Sequence, residues 1–267
     1  MGKKPIGIFD TGAGGLSTVR DLRRLLPNED IIYLCDTARA PYGTHSKELI
    51  AKNTVQGLEY LQALDVKLLV CASATAGAVL PEAAIKKLTV PYISSLLPCA
   101  QEACATSVHG TIGVIGTSAT IHSSSFGRAI RNIRTDARVI GKACPLLNTL
   151  AENGITEPSN MLLKLAIKTY LEPLLREGID TLILGSSSYS VLFAAISEVF
   201  NYGVTLVDSA PVTAKYIESY LIKNNLQGDG TSGTVKWLVT DAPQAFIDIS
   251  KIYYGDEIKE PVKAITL

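Results

Sequence analysis

Two stretches far apart in the chain follow one pattern. Val66-Lys-Leu-Leu-Val-Cys-Ala-Ser-Ala-Thr75 and Leu182-Ile-Leu-Gly-Ser-Ser-Ser-Tyr189 each run apolar and then end on small hydroxylated residues. The first carries one charge, Lys67, before its apolar core. Strands buried on both faces read as such near-continuous apolar runs, and they belong to parallel sheets. In an open parallel sheet, ligands bind outside the carboxyl ends of the strands. Ser73 and the run Ser186 to Ser188 therefore mark two walls of one pocket.

The same alternation continues through the chain. Pro5 to Asp10 is an apolar run, followed by Thr11-Gly-Ala-Gly-Gly15 and a helical pattern from Leu16 to Leu26. Ile31 to Leu34 predicts a second strand, and Ser46 caps a helix running to about Leu64. Leu68 to Ala72 and Tyr92 to Ser95 give the third and fourth strands, with Pro98 turning into a short helix. The pattern then restarts: a strand at Thr111 to Ile115, a helix over Ser118 to Ile133, and a weaker strand at Arg138 to Ile140. A helix at Met161 to Arg176 precedes strands at Thr181 to Leu184 and Val204 to Val207. A helix from Pro211 to about Lys223, a last strand at Val235 to Val239 and a last helix at Pro243 to Tyr253 follow. Strands alternating with helices at this spacing imply parallel βαβ units. The expected fold class is α/β. The division is a first domain of 1–97 plus 208–267 and a second of 98–207.

Composition narrows the function classes. The 267 residues are 47% hydrophobic and 19% charged, enough to bury a sizeable core. Lysines and arginines number 25 against 25 acids, so the formal charge is zero, which argues against a general nucleic-acid or membrane-surface binder. Cys35, Cys71, Cys99, Cys104 and Cys144 are scattered with no CxxC, as expected of buried thiols in a reducing compartment. The N-terminus has no apolar signal core, and no stretch reaches the length of a membrane span. The expectation is a cytoplasmic protein.

Several residues invite a catalytic role, and each has a plainer one. Asp10-Thr-Gly-Ala-Gly-Gly15 has the glycines of a phosphate cradle, but Ser17 stands where a third glycine belongs. Asp10 at a strand end is either functional or a cap. His45 is the histidine nearest a candidate site, with nothing beside it in the sequence to support acid–base work. Ser73 and Ser186 to Ser188 lack the Gly-x-Ser-x-Gly context of a hydrolase nucleophile, since Ser73 lies between Ala72 and Ala74. The serines read more simply as hydroxyls that bond a ligand or their own helix. His109 and His122 show no metal-ligand spacing, so no metal is expected.

In order and spacing, five pieces resemble glutamate racemase: Ile8-Phe-Asp-Thr-Gly12, Asp36-Thr-Ala-Arg-Ala-Pro-Tyr-Gly43, Ile112-Gly-Val-Ile-Gly-Thr117, Cys144-Pro-Leu-Leu147 and Leu182-Ile-Leu-Gly185. The resemblance spans nearly the whole chain. It implies two pseudo-symmetric α/β domains, each a mainly parallel sheet flanked by helices, with a small amino acid or dicarboxylate between them. It also implies no cofactor, the chemistry of D-amino acids for peptidoglycan precursors, and two catalytic cysteines that move the α-proton of glutamate. A homodimer is left open. The family's Cys-Asn-Thr reads here Ser73-Ala74-Thr75, and its Cys-Thr-His-Tyr reads Ser186-Ser187-Ser188-Tyr189. Asp10 and Glu152 match acids that assist the cysteines, and Ser188 stands in place of a histidine. Thr11, Tyr42, Gly43, Ala74, Thr75, Thr117 and Ser187 fall at substrate-binding positions. Cys71, two residues before Ser73, is not an obvious substitute for the missing thiol.

These departures bear on the chemistry. A free thiol ionises near pH 8.5, whereas an alcohol lies nearer to water's roughly 15.7. That gap of about 7 units is roughly 10 kcal/mol. Acid–base help from Asp10 contributes about 10² to 10⁴-fold, or roughly 3 to 5 kcal/mol, and falls short. The expectation is a racemase-like protein with a glutamate-like pocket that does not racemise by the two-thiol route. An enzyme with redirected chemistry on another small carboxylic acid, and an inactivated form of an ordinary racemase, are the alternatives.

Overall fold

A computed structural model describes residues 4–200 and 203–267. Ten strands fall into two sheets. The first sheet contains β1 (Ile6–Asp10), β2 (Ile31–Cys35), β3 (Leu68–Cys71), β4 (Tyr92–Ser94), β9 (Val235–Val239) and β10 (Val262–Ala264). The second contains β5 (Thr111–Gly116), β6 (Arg138–Ala143), β7 (Thr181–Gly185) and β8 (Thr205–Asp208). Their orders are β10-β9-β2-β1-β3-β4 and β6-β5-β7-β8, and every pairing is parallel.

The two orders share one plan. In each sheet the first strand lies in the middle, the second pairs on one side and the third on the other. The strand order therefore reverses beside β1 and β3 in the first sheet, and beside β5 and β7 in the second. That reversal opens the crevice where open α/β sheets bind ligands. β1 leads into Thr11 and β3 into Ser73; β5 leads into Thr117 and β7 into Ser186.

Side-chain alternation along the strands builds the core. Ile6 and Ile8 of β1, Leu68 and Val70 of β3, and Leu182 and Leu184 of β7 enter one apolar cluster shared by both sheets. Their alternates face outward to separate clusters, Phe9, Leu69 and Cys71 on the first sheet and Ile183 on the second. The shared cluster holds the two sheets in one relation, so their carboxyl ends converge.

The structure departs from the sequence reading at several places, among them the unforeseen helices Glu82–Ile85 and Phe193–Val199. The helix expected over Ser118 to Ile133 is two helices, Ser118–Ser123 and Ser125–Ile133, broken at Ser124 with φ of 56°. There Ser123 Oγ donates to Thr120 O at 2.7 Å and accepts from Ser125 N at 3.1 Å, so local side-chain bonds compete with the helix. Pro145–Glu152 forms a helix with Pro145 in its first turn, and β10 adds an edge strand beside β9; neither was foreseen. Among the described residues, no helix is long and apolar enough to cross a membrane.

Candidate functional site

A cavity of about 400 Å³ lies between the carboxyl ends of the two sheets. Thr11, Ser73 and Thr75 line it from the first sheet, and Thr117 and Ser186 to Ser188 from the second. Tyr42 and Gly43 add a wall from the loop after β2, and Asn148 and Glu152 one from the helix Pro145–Glu152. Phe246 and Ile249 of the helix Pro243–Tyr253 give it an apolar side. Of the expected site residues, Asp10 and Ala74 lie outside the lining, both buried behind it.

Asp10 ends β1 in full burial. Its Oδ1 accepts from Thr11 N at 2.7 Å, and its Oδ2 accepts from Gly15 N. These amides of the glycine turn are thus taken by the chain's own carboxylate, so the turn is a strand-to-helix turn held by Asp10. Burial pushes the Asp10 carboxyl up to about 7, against the opposing pull of these hydrogen bonds. Ser187 Oγ reaches across from the second sheet and donates to Asp10 Oδ2 at 3.3 Å. Gly14 makes this approach possible: a Cβ there would stand 2.6 Å from Ser188 N and 2.7 Å from the Ser187 carbonyl carbon.

Ser73 sits where β3 passes into the helix Ala74–Val79. Its Oγ accepts from Ala76 N at 3.3 Å and hydrogen-bonds Thr11 Oγ1 at 2.9 Å. The plainer sequence reading, a hydroxyl that caps its own helix, holds at this position. Thr75, Thr117 and Thr120 close a triangle of hydroxyls at 2.9, 3.2 and 3.0 Å that joins the two sheets' ends. Thr117 also caps Ser118–Ser123 by accepting from Thr120 N at 3.2 Å.

Ser186 is held differently. It makes no cap, and its Oγ donates to Asn148 Oδ1 at 3.0 Å. Asn148 was not singled out from the sequence, although it lies four residues before Glu152. On one helix that spacing puts both on the same face. Glu152 is exposed at the cavity, with its carboxyl raised above the usual range by desolvation.

Asp36 also escaped the sequence reading. Fully buried beside the strand end, it accepts from Tyr42 OH, from Arg39 Nε at 2.6 Å and from Thr240 Oγ1 at 2.7 Å. Tyr42 keeps its proton, because burial and then the Asp36 carboxylate push the phenol far above its ordinary range. The Tyr42 wall is thereby fixed from behind. His45 stacks at a tilt near Tyr42, with ring centroids 6.0 Å apart, and does not line the cavity.

No thiol lines the cavity among the described residues. Cys71 donates to Ser73 O at 3.4 Å and Cys144 to Lys142 O at 3.5 Å; burial pushes each thiol up to about 12. The lining also has no lysine, arginine or histidine. Among the described residues, no group of three or more His, Cys, Asp or Glu is placed to hold a metal ion.

Residues 6–217 match the family model described as Asp/Glu/Hydantoin racemase. The glutamate racemase of Geobacter metallireducens is 39% identical over 96% of this chain and 94% of its own length. Among solved structures, glutamate racemase isoform RacE1 from Bacillus anthracis superposes with a TM-score of 0.94 at 32% identity, covering 100% of this chain and 99% of its own. The glutamate racemase of Francisella tularensis gives a TM-score of 0.92 at 30% identity, over 100% and 98%. With two parallel sheets facing across one cavity, and with these matches over nearly its full length, the chain belongs to the Asp/Glu/hydantoin racemase family.

Proposed function

We propose that this protein keeps the amino-acid pocket of a glutamate racemase-like fold and does not racemise glutamate by the two-thiol route. One observation carries the reading: Ser73 and Ser186 follow equivalent strands, both line the same cavity, and none of the five cysteines lines it. They occupy the two positions where the family's proton-moving cysteines are expected. In this reading residues 1–97 with 208–267 form one domain, and 98–207 the other.

The geometry of the serines supports loss of that chemistry. A base must be free to take a proton from the substrate. Ser73 already accepts from Ala76 N, and Ser186 gives its proton to Asn148. Asp10 approaches Ser187 rather than Ser73 or Ser186, and among the described residues no carboxylate accepts a hydrogen bond from either. The roughly 10 kcal/mol gap between alcohol and thiol ionisation is then left without local help.

The pocket itself is intact. Hydroxyls, the Asn148 amide and backbone groups offer polar contacts, and an α-amino acid fits within about 400 Å³. Two relatives were solved as complexes with amino acids: that of Francisella tularensis with D-glutamate and that of Thermus thermophilus with β-chloro-D-alanine. In this reading the chain acts as a binding or regulatory protein for a small amino acid in the cytoplasm. Calorimetric titration with D- and L-glutamate tests this directly. Saturable heat with at least one enantiomer is expected; none at millimolar concentration overturns the reading.

A further inference from the structure

The cavity's hydrogen-bonding protons can be counted by where each one goes. Ser186 gives its proton to Asn148 Oδ1 and Ser187 to Asp10 Oδ2. Thr75, Thr117 and Thr120 hydrogen-bond one another in a closed triangle. Most hydroxyls of the second wall are therefore spent within the protein. Asn148 keeps donors beyond the bond it makes. An asparagine amide carries one acceptor oxygen and two N–H donors. Its oxygen serves Ser186, and no described residue accepts from its Nδ2. The side chain is half-buried and lines the cavity.

We propose that Asn148 is a specificity-determining residue: its side-chain oxygen anchors Ser186, and its amide N–H groups bind a carboxylate of the amino acid in the cavity. The inference rests on the reading of this cavity as an amino-acid pocket and adds to it the group that recognises the ligand's anionic end. Among the described residues the lining has no lysine, arginine or histidine, so a carboxylate there meets neutral donors. Hydrogen bonds from a neutral amide to a charged acceptor are among the stronger ones. Glu152 lies one helical turn away on the same face, about 5 to 6 Å between Cβ atoms. A donor pair and an acid at that spacing match a zwitterion: carboxylate at Asn148, ammonium toward Glu152.

The test uses the full chain with D-glutamate and L-glutamate as probes, comparing wild type, Asn148→Ala, Asn148→Asp and Ser186→Ala by calorimetry. Asn148→Asp keeps an oxygen for Ser186 and the side-chain shape, and it replaces the donors with a negative charge. Losing a hydrogen bond to a charged group weakens binding about 10- to 100-fold, which is the expectation for Asn148→Ala. Asn148→Asp is expected to bind more weakly still. Ser186→Ala, which leaves the amide donors in place, is expected to lose less than Asn148→Ala. In ¹⁵N-labelled wild type, the Asn148 side-chain amide resonances are expected to shift on saturation.

If wild type binds and Asn148→Asp binds equally, or if those resonances stay still at saturation, the inference is overturned while the pocket reading stands. Equal losses in Ser186→Ala and Asn148→Ala, with no resonance shift, assign Asn148 to holding Ser186 alone and also overturn it. If wild type binds neither enantiomer, the pocket reading itself fails and takes the inference with it. Should Asn148→Ala not fold, the isosteric Asn148→Asp and the wild-type spectra still decide.

Discussion

Ser73 and Ser186 follow corresponding strands of two like-ordered sheets, yet the chain uses them differently. Ser73 is part of the scaffold: it caps Ala74–Val79 and bonds Thr11 within its own sheet. Ser186 caps nothing, and its hydroxyl bonds sideways to Asn148 on a neighbouring helix. The two ends are then tied together by Ser187 on Asp10 and by Gly14 pressed against Ser187 and Ser188. Pseudo-symmetry in the backbone therefore does not carry over to the hydroxyls. A fold that places two groups face to face across a cavity leaves each free to take on a local structural duty.

The largest effect that can break this comparison is the charge on Asp10, which sits where the two ends meet. A carboxyl whose native pKa is raised to about 7 keeps its proton in the folded chain after the unfolded chain has released it. Stability is then greatest below about pH 4, the unfolded value. It falls as pH rises to about 7, by up to roughly 4 kcal/mol from this group. Glu152 and Asp208 are raised as well and act in the same direction. Chemical denaturation between pH 4 and 8 reads the slope, and Asp10→Asn flattens it. An unchanged slope in that variant removes Asp10 from the role of buried bridge.

Gly14→Ala strikes the same junction sterically. Its Cβ meets backbone atoms of Ser187 and Ser188 that have no flexible end to swing aside. A loss of about 1 to 3 kcal/mol is expected, as for overpacking elsewhere. Retention of full stability means the two strand ends are not in rigid contact. The smallest effect separates the two serines: Ser73→Ala loses a helix cap, about 1 kcal/mol, and Ser186→Ala less than half of that. Equal losses erase the distinction between scaffold and cavity.

Much of the fold was legible because its signals are local. The strand runs, the Ser46 cap and the helices Met161–Arg176 and Pro243–Tyr253 emerge where periodicity and capping chemistry place them. What escaped reading depends on contacts distant in sequence. β10 is a three-residue edge strand that exists only through pairing with β9. Serines 123 to 125 resemble helix formers until their hydroxyls turn on the backbone.

The site divides the same way. Strand-end residues such as Ser73, Thr117 and Ser186 could be placed from the pattern, since a parallel sheet fixes where its ligands lie. Asn148 carried a usable signal in its four-residue spacing from Glu152. Asp36 stands in one of the stretches that carry the resemblance, with no signal of its own role, and the apolar wall of Phe246 and Ile249 carried none. Asp36 matters through Thr240, and that wall forms because Pro243–Tyr253 returns over residues more than two hundred positions earlier.

The central claim is that two facing serines cannot do the work of two thiols. Proton NMR of D-glutamate and of L-glutamate in deuterated water, with the purified chain at micromolar concentration, measures it at the bond in question. The α-proton signal of each enantiomer is expected to persist over hours, while calorimetry on the same sample registers binding. Loss of that signal at turnover on the order of 10 per second, typical of working enzymes, contradicts it.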